Sequence, residues 1–232
     1  MTTVLGIDTS TTHVGVALGR DGSVLARSSE PAARRHAEML VPAIDARLRD
    51  AGLRPADLDA LAVGIGPGLF TGLRVGVTTA IVMARALAVP VVAVPTLDLL
   101  AAPHAADGRV VAPVVDARRR EVFGATFATG PGGARRLAED SVGPAGDLAD
   151  ALDALGVDVL LVGDGPAAHP DAFVGRARLE VAGPDAAVPD PGVLVLRAFA
   201  DLAAGAGLDP DAVRPRYLRK SDAELNWERA RP

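Results

Sequence analysis

The feature that most constrains this chain is a strand that ends in a carboxylate, passes through a short polar turn and returns as a second strand. It occurs twice. Val4–Asp8 leads through Thr9-Ser10-Thr11-Thr12-His13 into the apolar run Val14–Leu18, and Val110–Asp116 leads into Glu121–Phe127. Asp8 stands six positions before Val14, and Asp116 six before Val122. Two copies of one supersecondary unit predict a duplicated, two-lobe α/β architecture. The expected lobes are residues 1–105 and a smaller 106–232 with a C-terminal tail.

The segments between the copies read as alternating helices and strands. Asp21-Gly22 favours a type I′ hairpin into a third strand at Val24–Ala26, which gives an antiparallel three-stranded start. From His36 to Asp50 apolar residues recur at helical spacing, Gly52 stands where a left-handed cap belongs, and Pro42 either kinks this helix or starts it. Leu61–Ile65 is a short buried strand, Thr71–Leu87 a second helix, Val91–Val94 a strand, and Thr96 opens a third helix. In the second lobe a helix at 145–155 precedes a strand at Val159–Val162. Asp190 followed by Pro191 predicts a capped helix over 192–204. The tail from Pro215 to Pro232 is expected to pack back through Tyr217, Leu218 and Trp227.

Composition narrows the function classes. A net charge of −5 argues against a dedicated nucleic-acid surface, and the pairs and triplets Arg34-Arg35, Arg118-Arg119-Arg120 and Arg135-Arg136 read as solvated turns. With no cysteine there is no disulfide, thiolate nucleophile or sulfur-ligated zinc. The opening residues reach Asp8 without a basic region, and the uncharged apolar stretch Val75–Ala84 is too short for a bilayer, so a cytoplasmic location is expected. Lys220 is the one lysine, and it does not follow a glycine loop, which removes the P-loop reading.

Candidate chemistry centres on two places. Asp8 followed by Thr9 is an arrangement that can hold a metal-bound phosphate beside a backbone turn; equally, Asp8 can cap its own turn. The loop Gly66–Gly72 at a helix start can bind an anion, while Gly72, Gly76, Ala80 and Ala84 lay a stripe of small side chains that lets another helix approach. That facing helix can be this chain's own or a partner's. The four histidines lack the spacing of a helical metal pair, and no Gly-x-Ser-x-Gly occurs, so neither a bound metal nor a serine nucleophile is expected.

Leu5-Gly-Ile-Asp-Thr-Ser-Thr, His36-Ala-Glu-Met-Leu-Val-Pro-Ala-Ile and Gly64-Ile-Gly-Pro-Gly-Leu-Phe-Thr-Gly-Leu-Arg-Val-Gly closely resemble the TsaB (YeaZ) family, and Val115-Asp-Ala-Arg-Arg-Arg-Glu-Val-Phe and Pro215-Arg-Tyr-Leu-Arg extend the match. The resemblance implies an actin-like, Hsp70-like and sugar-kinase-like (ASKHA) fold with mixed sheets flanked by helices. It also implies a non-catalytic scaffold in bacterial tRNA N6-threonylcarbamoyladenosine (t6A) synthesis. The implied partners are the catalytic paralogue TsaD and the ATPase TsaE, with a homodimer when the chain is alone and tRNA met through the complex. The paralogue's His-x-x-x-His pair has no counterpart in Thr96–His104. The implied interface comprises Leu40, Ile44 and Leu48 of the first helix with Gly72, Leu73, Gly76, Val77, Ala80, Ile81 and Ala84 of the second. Asp8 and Thr9 remain as a vestigial phosphate loop, with no cofactor expected and a nucleotide at a complex interface left open. The alternatives are a small actin-like nucleotide hydrolase and a glycoprotease-like peptidase.

Overall fold

The computed structural model describes residues 1–219, so Lys220 and the expected contact of Trp227 lie outside the described residues. Strands β1 (Thr3–Asp8), β2 (His13–Arg20) and β3 (Ser23–Pro31) form the antiparallel start, and Asp21 and Gly22 both take positive φ as a type I′ turn requires. Helix α1 spans His36–Asp50 with Pro42 inside it, so it does not begin there. Its end is a Schellman motif, in which the Gly52 amide donates to Arg49 and the Leu53 amide to Leu48, with Gly52 at φ +65°. Strand β4 (Ala60–Gly64), helix α2 (Phe70–Leu87), strand β5 (Val91–Val94) and helix α3 (Thr96–Ala101) follow.

The second half repeats the plan. Strand β6 (Val110–Arg118) pairs antiparallel with β7 (Glu121–Gly124), as β1 does with β2. The expected continuous strand Glu121–Phe127 is in fact two: β8 (Phe127–Gly130) turns away to hairpin with β9 (Gly133–Arg136). Then come β10 (Ser141–Pro144), α4 (Ala145–Asp153), β11 (Val159–Val162), α5 (Gly165–Ala168), α6 (Pro170–Phe173), β12 (Leu179–Val181) and α7 (Pro191–Ala203). Sheet order is β3-β2-β1-β4-β5 in one lobe and β10-β7-β6-β11-β12 in the other, with β8 and β9 attached to the side of β6. In both, the central strand, which carries Asp8 or Asp116 at or near its end, pairs antiparallel on one side and parallel on the other.

Each sheet is covered on both faces, and each lobe lends a helix to the other. On the first sheet, α1 and α2 bury Leu5, Ile7, Leu18, Leu61 and Val63 on one face. The opposite face is covered by α7, although sequence order places α7 in the range 106–232. Three glycines make room for it: a Cβ at Gly6 would lie 2.7 Å from Val195, one at Gly15 would lie 3.4 Å from Pro191, and one at Gly19 would run into Val195 and Phe199. Conversely α3, from the range 1–105, places Leu97 and Leu100 with Val111, Val115 and Phe127 of the second sheet. The α7 cap is the one expected, since Asp190 Oδ1 accepts from the Gly192 amide at 2.8 Å ahead of Pro191.

Candidate functional site

The turn after β1 is closed rather than open to a ligand. Asp8 is buried, and its Oδ1 accepts from the Ser10 hydroxyl at 2.9 Å and the Ser10 amide at 3.2 Å. Burial pushes its carboxyl up to about 6, against the two Ser10 hydrogen bonds that pull it down. Gly64 passes so near that a Cβ there would overlap Asp8 Oδ2. The Thr9 hydroxyl donates to the Gly72 carbonyl at 2.7 Å, and His36 Nε2 lies 2.9 Å from the Thr11 carbonyl oxygen. Of the two readings of Asp8 and Thr9, the geometry fits the turn cap: their polar atoms are spent on the turn and on α2.

The small-residue stripe is also internal. A Cβ at Gly72 would strike the Thr9 carbonyl and one at Gly76 the Thr9 hydroxyl, while Ala80 and Ala84 pack into the first-lobe core. Leu40, Ile44, Leu48, Leu73 and Val77 are buried in the same way; Ile81 is half-buried. In the chain alone, then, the side chains expected at a partner contact face their own sheet, Ile81 in part. Helical periodicity identifies a face that must be covered, and here β1 and its neighbours cover it. The outward faces of the two helices instead present Val41 at 61% exposure and Val82 at 56%, with Pro42, Asp45, Thr78 and Ala86. By length and composition α2 resembles a membrane span, yet the buried stripe seats it on the sheet as a core helix.

Between the lobes lies a cleft of about 670 Å³. The loop before α2 supplies Gly68 and Leu69, α2 supplies Phe70, Thr71 and Arg74, and the segment after residue 213 supplies Arg216, Tyr217 and Arg219. Arg34 and Arg118 close it from the turn before α1 and the end of β6. The Arg74 guanidinium sits 3.8 Å over the Phe70 ring and donates to the Tyr217 hydroxyl at 3.2 Å, and the rings of Phe70 and Tyr217 are 5.0 Å apart. Arg216 is tied down by its amide, which donates to Ile65 at 2.7 Å, and by an ion pair to Asp140 at 3.0 Å. Arg118 pairs with Asp116 and Arg219 with Glu121. The sequence reading placed Arg34 and Arg118 in solvated turns; the fold brings them to one cavity with three arginines from elsewhere.

The second-lobe carboxylate has a different neighbourhood. Asp116 Oδ1 accepts from the Arg118 amide at 2.8 Å and lies 3.1 Å from His169 Nε2, while the Asp116 amide donates to Asp164 at 2.9 Å. Burial raises the Asp164 carboxyl, opposed by that amide. Among the described residues no group of three His, Cys, Asp or Glu side chains is placed to hold a metal ion.

Comparison with known proteins then gives a consistent pattern. Residues 28–172 match the family described as TsaD, tRNA N6-adenosine threonylcarbamoyltransferase. The tRNA threonylcarbamoyladenosine biosynthesis protein TsaB of Bacillus subtilis is 31% identical, with 97% of each chain covered. An uncharacterized protein of Mycobacterium tuberculosis is 46% identical over 56% of this chain and 61% of its own length, so the match spans less than two thirds of that relative. Among solved structures, YeaZ from Pseudomonas aeruginosa superposes with a TM-score of 0.79 at 31% identity, covering 94% of this chain and 100% of the other. The ethanolamine utilization protein EutJ from Carboxydothermus hydrogenoformans shares the fold at 10% identity, with a TM-score of 0.54 over 84% of this chain and 90% of its own. The two-lobe architecture is that of actin-like, ASKHA proteins.

Proposed function

The chain belongs to the TsaB (YeaZ) family, and from that premise we propose that it takes part in t6A synthesis on tRNA as a non-catalytic subunit holding the catalytic protein TsaD, together with the ATPase TsaE. The observation that supports the non-catalytic part is the closed turn: the side chains of Asp8 and Thr9 are engaged with Ser10 and Gly72, with Gly64 overhead, instead of facing a ligand. A cytoplasmic location fits this role.

The docking surface in this reading is the outward face of α1 and α2, where Val41 and Val82 stand exposed beside short polar side chains. Two such helices can meet the equivalent pair of a paralogous partner, and a second copy of this chain would compete for the same face. The test is sedimentation of the purified chain with TsaD, for wild type and for Val82→Arg. An unpaired charge at the centre of a helical contact is expected to weaken binding at least about a hundredfold, since burying it costs several kcal/mol. Val174→Arg, at another exposed valine, is expected to bind normally. Unchanged binding by Val82→Arg would move the interface elsewhere, and a wild type that never binds TsaD would end the subunit reading.

A further inference from the structure

Among the described residues the chain crosses between the lobes three times, and the third crossing is unlike the others. The first runs from β5 through Pro95 into α3, and the second from β12 into α7. Both end in a helix seated by fully buried side chains, Leu97 in one case and Leu194 and Val195 in the other. The third is residues 214–219, which form neither helix nor strand. It leaves the first-lobe core at Val213 and is then fastened to both lobes.

On the first-lobe side, the Arg214 guanidinium donates to the Asp211 carbonyl at 2.6 Å and the Arg216 amide to the Ile65 carbonyl at 2.7 Å. The Arg216 carbonyl runs so close to the loop after β4 that a Cβ at Gly66 would lie 2.9 Å from it. Tyr217 stands against Phe70 and Arg74 of α2. On the second-lobe side, Leu218 packs half-buried on the core of Val115 and Phe123. Arg216 reaches the buried Asp140 at 3.0 Å, and Arg219 reaches Glu121 at 2.8 Å. Asp140 is shared with Arg136, which also pairs with Asp98 of α3. The two sides differ in kind. The first-lobe anchors are backbone hydrogen bonds and ring contact, whereas the second-lobe anchors are chiefly ion pairs of arginines that remain 33% and 26% exposed. Such pairs are individually weak and screened by salt, while a buried leucine cannot leave its seat without exposing apolar area.

We infer that residues 214–219 are a releasable strap: anchored on the first lobe, it clamps the second lobe at one angle through Arg216–Asp140 and Arg219–Glu121. When these pairs part, the strap stays with the first lobe and the second lobe swings on the two remaining crossings. Lobes joined by short crossings move relative to one another unless a contact holds them, and the strap supplies that contact at the edge of the cleft. The inference goes beyond the subunit reading and does not depend on it.

The chain has no cysteine, so one spin label can be placed on each lobe, at Ser29→Cys on β3 and Ala151→Cys on α4, both exposed. Pulsed dipolar spectroscopy of the labelled full chain, diluted with unlabelled chain so that a second copy adds nothing, reads the inter-lobe distance. Wild type is expected to give one narrow distribution that broadens in high salt. Arg219→Ala should raise the displaced population about two- to fivefold, as for an exposed pair, and Arg216→Ala about tenfold or more, because Asp140 is buried. Arg219→Glu together with Glu121→Arg should restore the narrow distribution, a rescue that a mere loss of packing would not give. Arg197→Ala, in an exposed pair within α7, should match wild type. The proposal is overturned if Arg216→Ala and Arg219→Ala combined leave the distribution unchanged, if wild type is already as broad as that double variant, or if the charge swap restores nothing. It is also overturned if circular dichroism shows either single variant unfolded, which would make the segment part of the core.

Discussion

Asp8 ends and Asp116 lies near the end of the central strands of two sheets with the same strand order, yet one is sealed in and the other is bonded to charge. Asp8 meets a serine and lies against Gly64 at the end of β4, and burial drives its carboxyl toward the neutral form. Asp116 meets Arg118, His169 and an amide that reinforces the next turn. The β1–β2 turn is polar but short-chained, so α2 can close on it; the β6–β7 turn carries three arginines, all at positive φ and exposed. Duplicated topology therefore fixes where a carboxylate sits, and the turn that follows fixes its state.

The largest effect is expected where the first turn is tightest. Gly72→Ala places a Cβ against the Thr9 carbonyl, a backbone group that cannot swing aside, and should cost about 3 kcal/mol or more by chemical denaturation. Gly146→Ala, in second-lobe helix α4 with open space around it, should instead add up to about 1 kcal/mol. Equal effects would erase the contrast between the lobes.

Next comes charge. The Asp8 carboxyl is raised from 3.8 to about 6 on folding, so the folded chain binds the extra proton. Its contribution is complete below about pH 4, is lost as pH rises through 6 and stays lost above, a swing on the order of 2–3 kcal/mol. Asp8→Asn should flatten that slope and stabilise the protein at pH 8. Asp116→Asn should have the opposite sign there, a loss of about 1 kcal/mol, because the partly exposed Arg118 and His169 lose a charged acceptor. Denaturant midpoints at pH 5 and pH 8 decide both, and a common sign would break the comparison. The smallest effect is Arg120→Gly: it removes the cost of a side chain at φ +64° while keeping the carbonyl that accepts from Ala145, and should raise stability by about 0.5–1 kcal/mol.

Legibility followed the range of the signal. The bounds of α1, the strand Val159–Val162 and the Asp190 cap were readable because each is written in neighbouring residues. The twin strand–Asp–turn units gave the duplication. The split at Gly124 was not readable, since β7 and β8 form one apolar run and separate through pairing with β10 and β9. The stripe on α2 was found, but its partner was not, because spacing along a helix names a face and leaves open what covers it. The arginine cleft was least visible: it gathers side chains from residues 34 to 219, and each of them alone resembles an ordinary surface arginine.

The exchange of α3 and α7 between the lobes also has a meaning in time. During synthesis the first sheet emerges with one face already supplied by α1 and α2, but the face bearing Gly6, Gly15 and Gly19 must wait for Pro191–Ala203. Nearly the whole described chain has to leave the ribosome before the first lobe is finished, and the second lobe is meanwhile already holding α3. Contacts so distant in sequence close late and slowly. A chain cut at residue 105 would leave that glycine-lined face bare, so the first lobe is complete only with a helix from the second half of the chain or with a new cover in its place.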